Sequence, residues 1–179
     1  MMGMRAQWGE FMKRTLVSLC VLAAGLCVAA PSIADTLAYP NSDDASFVLD
    51  YPSNWEVEPG EEVGDYVTLN APTGAVLQLR TIPGTESAVA DATEETVAYL
   101  GETFDNVQLG EPQDVKQGAV EGSLLVGSGV DDDGQNVKFA MYYIGLPDGN
   151  IAVIWYAVVE GDEEGNAGAV KILNSFRAP

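Results

Sequence analysis

Residues 150–160, NIAVIWYAVVE, constrain the fold of this chain more than any other stretch. In an extended strand successive side chains point to opposite faces. Ile151, Val153, Trp155, Ala157 and Val159 then share one face, and Ala152, Ile154, Tyr156 and Val158 share the other. An antiparallel strand with one wet face alternates apolar with polar residues, whereas both faces here are apolar and both need a cover. This is a central strand, and the rest of the chain must supply a layer on each side of it.

Its neighbours follow from turn chemistry. Residues 118–130 and 136–146 read as two strands leading to it, with hairpin turns at Asp133-Gly134 and Asp148-Gly149, so the three form a meander. Earlier, residues 46–51 alternate around Phe47 and Leu49 until Pro52, and 55–57 resume as a short strand closed by Pro59-Gly60. Residues 66–70 and 75–82 flank the turn Ala71-Pro72-Thr73-Gly74. Between 87 and 106 the period becomes helical. Val89, Val97, Leu100 and Phe104 recur on one face, and Asp91 with Glu94 resembles a capping box, which predicts a helix over 90–105 ended by Asn106. Residues 107–115 form a weaker extended stretch broken by Pro112.

A second helix is expected over 163–176, burying Val170, Leu173 and Phe176, with Gly165 and Gly168 weakening its start. Glu160, Asp162, Glu163 and Glu164 form an acidic lead that suits its dipole. One helix on each face gives an α+β fold: an α/β/α sandwich with a central, mainly antiparallel sheet.

The amino terminus reads as an export signal. Arg5, Lys13 and Arg14 precede the apolar run Leu16–Ala30, and Ser32-Ile33-Ala34 offers the small residues that a signal peptidase reads, placing a cut before Asp35. The run is 15 residues long, against the roughly 20 of a spanning helix. Cys20 and Cys27 each follow a leucine, where a lipoprotein signal wants a small residue. Met12 is an alternative start to Met1, since MKRTLVSLC is a conventional signal opening and the eleven residues before it add little. Residues 1–34 are thus read as a signal peptide, 35–45 as a flexible lead and 46–179 as a single domain, periplasmic or secreted. Both cysteines leave with the signal, so the mature domain carries no disulfide and must be held by its core.

The signal also takes three basic residues and one acidic residue. Of the 8 basic and 27 acidic residues, 5 and 26 remain, a net charge of −21. Nucleic acid and anionic membrane surfaces would be repelled; basic partners and divalent cations would not. No membrane anchor is expected after cleavage, and the domain is expected to be a monomer.

Ser46 to Val57, SFVLDYPSNWEV, resembles the opening of the PsbP-like superfamily, in which an aromatic-rich strand ends in Tyr-Pro and a Trp opens the next strand. The ending Ala169–Phe176, AVKILNSF, is similar to the terminal helix of that group, which closes on Ser-Phe. The resemblance covers nearly the whole mature chain. It implies an αβα fold and a binding or assembly role rather than an enzymatic one, with no functional residue to carry over. Trp55 is expected to plug the interface between sheet and helix, and Trp155 to be core.

The chain has no histidine, and no cysteine after the signal. Ser-His-Asp triads, Cys-His pairs and zinc sites of imidazole or thiolate are therefore excluded, and no glycine-rich phosphate loop occurs. Asp131-Asp132-Asp133-Gly134 is the sharpest acidic cluster and has the oxygen chemistry that calcium favours. Gly129 and Ala140, however, stand where the first and last ligands of an EF-hand loop belong. Trp55, Tyr142, Tyr143, Trp155 and Tyr156 could line a ligand groove. The reading is an exported, non-catalytic binding or assembly module of the cell envelope acting through a protein partner, with no metal, cofactor or catalytic residue. A small-molecule or calcium-binding periplasmic protein and a carboxylate-based hydrolase are the alternatives.

Overall fold

A computed structural model describes residues 33–61, 64–117 and 120–179. Apart from Ile33 and Ala34, the expected signal lies outside the described residues.

The first element corrects the expected flexible lead. β1 (Ile33–Tyr39) pairs antiparallel with β2 (Phe47–Pro52), setting Leu37 opposite Leu49 and Tyr39 opposite Phe47. Tyr39 is 2% exposed and its ring stacks on Phe47 at 5.1 Å. Leu37 and Tyr39 alternate with smaller residues, but the pattern is too short to announce a strand just before Pro40.

The main sheet begins with β3 (Glu56–Glu58), β4 (Val67–Asn70) and β5 (Val76–Pro83). After α1 (Glu86–Thr103) come β6 (Asp105–Leu109) and β7 (Gln113–Gln117). Then follow β8 (Val120–Val130), β9 (Asn136–Gly145), β10 (Asn150–Val159) and α2 (Glu163–Ser175). The strand order is β3-β4-β5-β10-β9-β8-β6, all antiparallel, and β7 pairs the other end of β8. The doubly apolar strand is indeed central, and the meander β8–β9–β10 turns where expected, with Gly134 and Gly149 at positive φ.

β10 divides the core as its alternation requires. Ala152, Ile154, Tyr156 and Val158 face α2 and the β1–β2 hairpin, among Phe47, Leu49, Leu69, Leu77, Ile172 and Phe176. Val153, Trp155 and Ala157 face α1, among Met141, Phe139 and Leu100.

Both helices bury the expected faces only in part. Leu100 is buried with Val89 and Phe104 packed against the core, and Leu173 and Phe176 pack beneath α2, whereas Val97 and Val170 are exposed. Thr85 caps α1, its Oγ1 accepting from Ala88 N at 3.2 Å, so the helix starts about a turn before the Asp91 signal. Its buried stripe is Ala92, Thr96 and Leu100, while Val97 is 41% exposed. Small residues carry the contact because they let the helix lie close on a sheet of large side chains. The same holds for α2, which buries Gly165, Gly168, Ala169 and Ile172 while Val170 is 46% exposed. A Cβ on Gly168 would stand 2.8 Å from Cζ2 of Trp55. The glycine that seemed to weaken the helix is the seat of the expected Trp55 plug, and Trp55 is 7% exposed.

Candidate functional site

α2 lies over β10 and the β1–β2 hairpin, and the sheet runs on past it through β9, β8 and β6. The α2 face of that outer half stays partly open. It forms a trough of about 770 Å³ between β6, the β8–β10 floor and the start of α2. Ala140, Tyr156 and Val158 make a buried floor, with Val126 and Leu109 38% and 40% exposed beside it. These positions come from strand periodicity: Val126 pairs Ala140, and Ala140 pairs Tyr156, so all three share a face.

Acids dominate the rim. Glu160, Asp162 and Glu163 line it beside Lys138, whose Nζ lies 2.9 Å from Glu160 Oε1. The hydrogen bond and charge of Lys138 hold the Glu160 carboxyl below the usual carboxylate range. Asp162 caps α2, its Oδ1 accepting from Gly165 N at 2.9 Å, and its Oδ2 is buried with no partner among the described residues. Tyr156 donates its hydroxyl to Asn166 Oδ1 at 2.8 Å. Burial, followed by the charge of Asp162, pushes the Tyr156 phenol up to about 12. At neutral pH Glu160 is therefore charged and Tyr156 is neutral. Neither is tuned to move a proton there.

The sequence candidates end up in different places. Asp131 is used by its own turn, its Oδ1 accepting from Asp133 N at 3.1 Å and Gln135 N at 2.8 Å. Glu163 and Glu164 stand in the first turn of α2, as expected. The five aromatics do not share one groove, because neighbours along a strand point to opposite faces. Tyr142 and Tyr156 face α2, while Tyr143 and Trp155 face α1. Trp155, 6% exposed, meets the Tyr99 ring edge to face at 5.8 Å. Tyr143 exchanges a 2.8 Å hydroxyl hydrogen bond with Thr93. Sequence reading missed Val126 and Leu109, since nothing local shows which half of a sheet face a helix will leave bare.

No family model matches the chain, and no curated protein matches it. Its fold is that of the PsbP-like proteins. A solution structure of cyanobacterial PsbP from Synechocystis sp. PCC 6803 superposes with a TM-score of 0.53 at 14% identity, covering 87% of this chain and 99% of that one. A crystal structure from Bacteroides thetaiotaomicron VPI-5482 gives a TM-score of 0.56, also at 14% identity, over 83% of this chain. The chain spans about half of that protein, 49% of its length. A protein of unknown function from Pseudomonas aeruginosa follows with a TM-score of 0.46 at 12% identity, covering 82% of this chain and 98% of that one.

Proposed function

We propose that this protein is an exported, non-catalytic binding module of the cell envelope, working as a monomer that takes a protein partner in the trough. The observation that carries the reading is the trough itself. Val126 and Leu109, 38% and 40% exposed, flank a buried floor of Ala140, Tyr156 and Val158 beneath an acidic rim. Contiguous exposed apolar surface edged by polar groups is the usual mark of an interaction site. The rim sets the partner's chemistry: Lys138 is already engaged by Glu160, and Asp162 and Glu163 leave the edge negative. A segment carrying apolar side chains next to Lys or Arg meets both demands. Nucleic acid meets neither. A hydrolase of two carboxylates needs one acid with a raised pKa. In the trough Glu160 is held ionised and Asp162 is spent on the cap of α2. The composition, without histidine, points the same way.

Selection of displayed peptides on the mature protein tests the reading. Apolar sequences with adjacent Lys or Arg should be enriched, and their binding should weaken with salt. Val126→Glu should abolish it, and Glu163→Gln should weaken it and lessen its salt dependence by removing a rim charge. Enrichment of acidic sequences, or binding indifferent to Val126→Glu, would overturn the proposal.

A further inference from the structure

A second cavity lies on the opposite face of the sheet, between α1 and strands β4, β5 and β10. It encloses about 230 Å³ and is lined by Tyr66, Gln78, Glu95, Thr96, Tyr99 and Trp155. The strand residues meet there by register. Gln78 pairs Trp155 across β5 and β10 and pairs Thr68 across β4 and β5, so the three share the α1 face. Tyr99 is 46% exposed and the Glu95 side chain 58% exposed, which gives the cavity a mouth along α1.

The Trp155 indole is the odd member. Its Nε1 is buried and has no acceptor among the described residues. A buried N–H left unpaired costs about 1–3 kcal/mol, and native proteins leave few such groups. Thr96, Gln78 and Glu95 at the cavity already have partners. Thr96 Oγ1 donates to Ala92 O at 2.9 Å, and Gln78 Nε2 donates to Thr68 Oγ1 at 3.2 Å. Glu95 Oε2 accepts from Arg80 Nη2 at 2.6 Å, and the same guanidinium lies 4.4 Å above the Tyr66 ring. Three aromatic rings, the Tyr99 hydroxyl at the exposed mouth and the unpaired Trp155 N–H in the wall remain.

That inventory selects a ligand class. Aromatic rings beside a carboxylate would suit a cation. Arg80, however, already covers Tyr66 and neutralises Glu95, and a cation brings no acceptor for Nε1. An anion would supply the acceptor but enters a strongly acidic protein past Glu95. An uncharged flat ring with an acceptor atom satisfies every wall. Size agrees, since a dry cavity of about 150 Å³ takes benzene and this one has room for two fused rings. We propose that the cavity binds a neutral one- or two-ring heteroaromatic or cyclic carbonyl compound, its ring held by Tyr66 and Tyr99 and its acceptor taking the Trp155 N–H. This site is independent of the trough.

Quinoline and indole provide the test. They are close in size and both neutral at pH 7.5, but only quinoline offers a free acceptor; N-methylquinolinium supplies the cationic control. Trp55 and Trp155 are the tryptophans beyond the signal, so two indole N–H resonances can be followed in the ¹⁵N-labelled mature protein. Quinoline should move the Trp155 resonance saturably and bind roughly fivefold or more tightly than indole. N-methylquinolinium should not bind. Trp155→Phe keeps a ring and should erase the preference for quinoline. Tyr99→Ala, at the exposed mouth and no threat to folding, should weaken quinoline several-fold. Equal binding of quinoline and indole, no saturation with either, or quinoline binding untouched by Tyr99→Ala would each overturn the proposal and leave the cavity as a space for water.

Discussion

Asp50 and Arg177 are 127 positions apart and close the molecule on itself. Arg177 Nη1 and Nη2 donate to the two Asp50 carboxylate oxygens at 3.0 and 2.9 Å. Next to them Ser175 Oγ accepts from Asp50 N at 2.7 Å, and Phe176 stacks on Phe47 at 5.0 Å. The segments that carry the PsbP-like resemblance, SFVLDYPSNWEV and AVKILNSF, are thus the two halves of one joint, which explains why the motif is structural. Arg177, followed by Thr36, holds the Asp50 carboxyl below its ordinary value. A carboxyl depressed by folding adds stability above its unfolded pKa of about 3.9, and that contribution disappears as pH falls through the lower folded value. Both side chains are partly exposed, so the pair is worth at most about 1 kcal/mol. Arg177→Ala should therefore cost up to about 1 kcal/mol at pH 7, and the gap to the parent should shrink as the pH falls below 4. Urea titrations across that range read the difference directly. A gap constant with pH would mean that Arg177 acts through packing rather than charge.

At the scale of elements, glycines in the two helices make opposite predictions. Gly101 in α1 has open space where a Cβ would go, so Gly101→Ala should stabilise by about 0.5–1 kcal/mol through helix propensity. Gly168 in α2 has the Trp55 ring there, so Gly168→Ala should destabilise by about 1–3 kcal/mol through overpacking. Thermal melts of the two variants decide it; stabilisation by both would show that Trp55 gives way freely. The pair also shows what the sequence could and could not reveal. Strands were legible because period-2 alternation and Asp-Gly turns are local, and β8, β9 and β10 stand where read. The helices were legible as periodic segments, and Leu100, Leu173 and Phe176 pack inward as read, but the small residues of their contact faces were not foreseen. A helix that lies close to a sheet buries Ala92, Thr96, Gly165 and Gly168, small residues that a hydrophobic count ignores. β1 was missed because its own alternation is too short to announce a strand before Pro40 and its partner lies beyond the 40–46 connection. The trough was illegible for a further reason. Val126 looks like any core strand residue until the placement of α2 leaves it bare.

For the whole molecule, charge is the dominant fact. Among the described residues Arg80, Lys116, Lys138 and Arg177 are each ion-paired, with Glu95, Glu121, Glu160 and Asp50. Beyond the expected signal there are 5 basic residues in all, so little positive charge is left to offset 26 acids. Mutual repulsion should weaken the folded state, and salt should relieve it, since the screening length is about 10 Å at 0.1 M. Raising sodium chloride from 0.05 to 0.5 M should lift the melting temperature by several degrees, roughly what 1 kcal/mol does in a domain of this size. The turn at Asp131–Asp133 decides whether calcium adds anything specific. Asp131 Oδ1 already receives two backbone N–H groups, so the turn is complete on hydrogen bonds alone. Calcium chloride matched for ionic strength should therefore act almost like sodium chloride, and Asn at positions 131, 132 and 133 together should leave the small difference unchanged. A saturable rise in melting temperature at micromolar to millimolar calcium, lost in that triple variant, would make the turn a cation site and the protein a calcium binder.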